Sequence, residues 1–73
     1  MKYLVLKEVK FKMMVGISDR IREEKLNPHV FIDYNGNSIL GDISIRFGIN
    51  CDADRIYKVL QIVNEEYSKV YLN

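Results

Sequence analysis

Two side chains in this sequence are natural candidates for nucleophilic chemistry: Cys51 and His29, the one cysteine and the one histidine among 73 residues. Thiolate chemistry favours a cysteine at the start of a helix, with a base in hydrogen-bond reach and a third group orienting that base. Cys51 has the position, but no spacing supplies the third group or brings His29 near it. A small residue at a helix start is the simpler reading, and the expectation is a protein that is not an enzyme. One Cys and one His also fall short of a zinc set, so neither a metal nor a cofactor is expected.

The carboxylate pairs have structural readings as well. Glu23-Glu24 and Glu65-Glu66 read as solvated helix faces. Asp52 and Asp54 suit the positive end of a helix dipole. Gly16, Gly36, Gly41 and Gly48 are scattered and form neither a dinucleotide fingerprint nor a P-loop.

Binding chemistry has more to work with. Lys10, Lys12 and Arg46, placed around Phe31 on one sheet face, would suit a single-stranded nucleic acid by phosphate contact and stacking. The formal net charge is only +1, so no bulk field draws the chain toward nucleic acid or anionic membrane. Leu4, Leu6, Phe31 and Leu40 form the second candidate surface. All four fall on the sheet face expected to be wet, and a contiguous apolar patch there marks an interface.

The elements that must position these residues follow from periodicity. Residues 2–15 alternate as a strand, with Tyr3, Val5, Val9, Phe11, Met13 and Val15 on the core side and Leu4 and Leu6 opposite. Gly16 breaks the strand. Ser18 caps a short helix over 18–26, which ends before Asn27-Pro28. Asn35-Gly36 is the preferred two-residue hairpin turn, because both central residues need positive φ. That register sets Ile32 against Ile39, Phe31 against Leu40 and His29 against Asp42. A third strand continues through Ile43, Ile45, Phe47 and Ile49. The last element is a helix over about 52–71, capped by Asn50 or Asp52. Its core stripe is Ile56, Leu60, Val63, Tyr67 and Val70, and Tyr57, Val59 and Ile62 lie beside it.

The fold class is therefore α+β. A single domain over residues 1–73 has the order β-α-β-β-α, a three-stranded sheet covered mainly on one face, and a long C-terminal helix. The segment Ile32-Asp33-Tyr34-Asn35-Gly36 and, later, Ile43-Ser44-Ile45-Arg46-Phe47 leading into an acid-capped helix loosely resemble the phosphocarrier proteins of sugar transport. The matching segment, Gly16-Ile17-Ser18-Asp19-Arg20, has no histidine where that family carries its active one, so no phosphoryl-transfer role follows from the resemblance.

A domain this small has a limited core and commonly adds a partner subunit. The expectation is a small protein-interaction module, of a kind that phages and mobile elements also encode, that works as a regulator, inhibitor or accessory subunit. Its expected partner is another protein, with homodimerisation; nucleic acid is the alternative. No apolar run is long enough to span a membrane, and the charged start of the chain is unlike a signal peptide. A lone thiol fits the cytoplasm.

Overall fold

The computed structural model describes residues 2–34, 36 and 39–72. Five elements follow in the order β1 (Lys2–Lys10), α1 (Phe11–Glu23), β2 (His29–Asp33), β3 (Leu40–Phe47) and α2 (Ala53–Tyr71). All strand pairs are antiparallel, and the spatial order is β1-β3-β2. β1 and β2 are therefore both edges. α1 carries the chain across from one to the other, and the α+β class and element order are as the sequence implies.

The first strand is shorter than its alternation suggests. It stops at Lys10, and residues 11–15 begin α1 instead. Met13, Met14, Ile17 and Ile21 explain this: their spacing is helical, and all four are buried. Alternation through Phe11, Lys12 and Met13 fits either period over so short a run. Among the described residues, no side chain caps this helix. Its first amide, Phe11 N–H, donates to the Ile39 carbonyl at 2.8 Å, and Lys10 N–H donates to the Tyr71 hydroxyl at 2.8 Å. Tertiary contacts thus hold the entry to the helix by its N-cap and first amides, where no capping side chain does so.

The far end of α1 closes in a Schellman motif. Leu26 N–H reaches the Ile21 carbonyl at 3.2 Å and Lys25 N–H reaches that of Arg22 at 3.1 Å. Lys25 takes the left-handed conformation, φ 54°, that glycine usually supplies there. Burial of both Ile21 and Leu26 provides the apolar contact that accompanies the motif.

A β-bulge divides β1. Leu6 pairs with Ile43 and Val9 with Gly41, so Lys7 and Glu8 together oppose Asp42. Glu8 has φ 54°, and its N–H donates to Asp42 Oδ1 at 3.0 Å. One extra residue exchanges the two faces of a strand. Leu4 and Leu6 consequently pack against the core before the bulge, and Val9 does so after it. Tyr3 and Val5 lie on the open face. This corrects the expected orientation of β1, which placed Leu4 and Leu6 outside.

The β2–β3 ladder also departs from the two-residue turn. Asp33 pairs with Asp42, Ile32 with Ile43, Phe31 with Ser44 and His29 with Arg46. Each partner is four positions further along β3 than the tight turn requires. Leu40 and Gly41 pair instead with Lys10 and Val9 of β1. A shift of four is even, so the paired residues of β2 and β3 keep their expected faces, but the strand ends at Phe47, and Ile39 and Ile49, both expected on the core side, are exposed. Gly36 has the anticipated positive φ, 72°; Asn35 lies outside the described residues.

α2 begins as expected. The Asp52 carboxylate accepts the Arg55 N–H at 2.8 Å, and Asp54 occupies the first turn. Its inward stripe is rotated from the expected one. Val59 and Ile62 are the most buried apolar positions, whereas Leu60 and Tyr67 are exposed. Both helices lie on one face of the sheet, and their core residues meet Ile43, Ile45 and Phe47 of the central strand.

Candidate functional site

The uncovered face of the sheet is organised in rows by the cross-strand register. Tyr3, Arg46 and His29 make the first row, because Arg46 pairs with both Tyr3 and His29. Val5, Ser44 and Phe31 make the second. Asp42 and Asp33 lie in the third, beside the bulge. Tyr3 is 67% exposed, Val5 39% and Phe31 53%. Full exposure of one such side chain is ordinary, but three in adjacent rows make a patch.

The surface is shaped by Arg46. A hollow of 420 Å³ lies between Tyr3, Val5, Ser44 and Arg46. A second, of 350 Å³, lies beyond the arginine and is lined by His29, Phe31, Phe47 and Gly48 as well. The His29 and Phe31 rings stack with centroids 6.5 Å apart and 18° between planes. The result is two shallow aromatic hollows on either side of a cation, with carboxylates two residues further along β2 and β3.

The four residues expected at an apolar interface therefore separate. Phe31 is on the open face. Leu40 is half-buried at the loop end of β3, opposite Lys10 and well away from Phe31. Leu4 and Leu6 belong to the core side. Tyr3 and Val5 take the place assigned to the leucines, and only the bulge reveals it.

The basic trio separates in the same way. Arg46 is on the open face. Lys12 stands in the first turn of α1, on the helical side of the sheet. The Lys10 ammonium lies 5.1 Å over the ring of Tyr71, which itself stacks on Tyr67 at 4.9 Å. These placements correct the expected grouping of Lys10, Lys12 and Arg46 around Phe31.

Cys51 and His29 are closer than their sequence positions suggest. Both line a 290 Å³ hollow with Asn50 and Arg55 at the start of α2. The Cys51 thiol donates to the Asp52 carbonyl at 3.8 Å, and among the described residues no hydrogen bond joins it to His29. Nor does any group of three or more His, Cys, Asp or Glu among those residues suit a metal ion. Among them, no helix is long and apolar enough to cross a membrane.

One polar cluster was concealed in the sequence. Glu66 reads as solvated but is only 6% exposed. Its Oε2 accepts from Lys69 at 3.0 Å and from Arg20 at 3.3 Å. Arg20 also pairs with Glu65 at 2.7 Å and with Glu24 at 3.7 Å. Burial alone would raise the Glu66 carboxyl; its hydrogen bonds to Lys69 and Arg20 overcome this and hold it below its ordinary range. The Glu65 hydrogen bond, against some desolvation, likewise raises the Arg20 guanidinium. This network ties α1 to α2. The readable signal was register, since Glu66 lies four residues after Ile62 and four before Val70.

Among known proteins, the chain matches no family model, no curated protein and no solved structure.

Proposed function

We propose that this protein is a non-catalytic interaction module, a regulator, inhibitor or accessory subunit, which meets a protein partner through the open face of its sheet. The observation that carries the reading is the adjacent exposure of Tyr3, Val5 and Phe31 around Arg46. Aromatic residues with an arginine are the composition that dominates protein interfaces energetically. The edge of β1 is a poorer docking site. Its bulge, with Lys2, Lys7 and Lys10 along the strand, has the features that discourage strand addition. We place the protein in the cytoplasm, where a half-buried single thiol stays reduced.

The experiment is a photo-crosslinking residue at position 31, compared with one at the exposed position 57 on α2. Crosslinks to protein from position 31 but not from 57 are expected. Equal or reversed yields would refute the open-face assignment. Nucleic acid is the lesser reading, supported by the stacking of His29 on Phe31 beside Arg46. Asp33 and Asp42 on the same face oppose it. Retention on single-stranded DNA at low salt that is lost with Arg46→Glu would favour it.

A further inference from the structure

The open face carries its charges in an order that is complementary to itself. On β3, Arg46 and Asp42 lie two residues to either side of Ser44. On β2, His29 and Asp33 lie two residues to either side of Phe31. The register aligns the two strands, with His29 beside Arg46, Phe31 beside Ser44 and Asp33 beside Asp42. One end of the face thus carries Arg46 and His29 beside Tyr3, the other Asp42 and Asp33 beside Lys7 of β1, and the apolar row of Val5 and Phe31 lies between.

Resting on the open-face reading above, we infer that the occupant of this face is a second copy of the same chain, docked with its strands reversed. The two-fold axis lies in the interface and runs across the strands, along the Val5–Ser44–Phe31 row. It sets Arg46 over the partner copy's acidic end and brings the same pair together a second time by symmetry. His29 comes over the carboxylate that Asp33 provides, and the two Phe31 rings meet on the axis at the β2 edge of the face. Isologous interfaces require a surface complementary to itself, and this one is so in one orientation. Turning the axis to run along the strands stacks guanidinium on guanidinium and carboxylate on carboxylate. Facing sheets keep their strands within about 30° of alignment, so the end-to-end charge match survives their twist.

The face is small. Three strands about 4.8 Å apart, with rows spread over roughly 20 Å, give on the order of 300 Å² in projection. A standard stable interface buries about 800 Å² on each partner. Dimerisation is therefore weak and concentration-dependent, and the face opens readily to exchange one copy for another protein.

The test is sedimentation equilibrium of the full chain over a wide concentration range, with circular dichroism to confirm folding. The wild type is expected to reach dimer mass at high concentration. Arg46→Glu should weaken self-association about ten-fold. His29→Glu and Asp33→Lys, each alone, should weaken it about five-fold, and a 1:1 mixture of those two should recover wild-type association. Tyr57→Asp on α2 should leave it unchanged. A wild type that stays monomeric at high concentration overturns the second copy, as does a mixture that fails to recover. If position 31 nonetheless crosslinks another protein, the open-face reading survives without the dimer. If the chain dimerises equally well in all three charge variants, the association uses another surface and the second-copy assignment to this face is wrong.

Discussion

The carboxylate of Glu66 occupies the space that a side chain on Gly16 would need. A Cβ at position 16 falls on Glu66 Oε1, so glycine inside α1 is what admits the acid between the helices. Gly16→Ala on an exposed helix would gain about 1 kcal/mol from propensity. Here it must expel a carboxylate held by Arg20 and Lys69, and a net loss of about 1–2 kcal/mol is expected. Glu66→Ala removes the obstacle. The double variant should therefore be more stable than the two single losses predict, and a denaturant-based double-mutant cycle measures that coupling.

The same carboxylate makes the helix pair acid-sensitive. Its folded pKa is depressed, so its stabilising contribution is fully present above the ordinary carboxyl value of the unfolded chain. That contribution is lost as pH falls through the folded value. Wild type should thus exceed Glu66→Gln in stability at neutral pH, and the difference should shrink in acid. Urea melts of both proteins at a series of pH values follow it, and a constant difference would contradict the assignment.

β1 offers a sharp contrast between adjacent residues. Leu4→Asp or Leu6→Asp puts a charge on the core side, at a cost of about 3 kcal/mol or more. That is a large part of the roughly 4–11 kcal/mol available to a chain of this size. Tyr3→Asp and Phe31→Asp should remain folded, with stability within about 1 kcal/mol of wild type, while losing association through the open face. Circular dichroism and thermal melts separate the two classes.

The bulge depends on Asp42 as well as on Glu8. Asp42→Ala removes the acceptor of the Glu8 N–H and should cost about 1 kcal/mol. Asp42→Asn retains an acceptor oxygen and should cost less. Faster amide exchange at Glu8 in the alanine variant, but not the asparagine one, is the specific sign.

Gly41 is constrained more severely than Gly16. A Cβ there would lie 2.7 Å from the Asp33 carbonyl oxygen and 2.9 Å from Met14 Cε. The first neighbour is backbone and has little room to move. Gly41→Ala should destabilise by about 1–3 kcal/mol, seen as a lower denaturant midpoint with an unchanged slope.

Several of these relationships were visible in the residues and several were not. The α2 cap at Asp52 is a local matter of one carboxylate and one nearby amide, and it is legible. So are the faces of β2 and β3, because alternation survives any even change of register. The start of α1 is not, since its first amide is satisfied by Ile39 and by no neighbouring side chain. Nor is the inner face of β1. Sequence alternation alone does not show that Glu8 adopts a left-handed conformation and adds a residue against Asp42. That one feature moved the candidate interface from Leu4 and Leu6 to Tyr3 and Val5.

The bulge also means that β1 is written in two phases. Deleting either Lys7 or Glu8 would leave one residue opposite Asp42 and restore a continuous ladder with Leu4, Leu6 and Val9 all inside, whereas straightening the strand at its present length would turn either Val9 or the two leucines outward. A single-codon deletion at the bulge would therefore erase the irregularity and leave the inner face of the strand as it is.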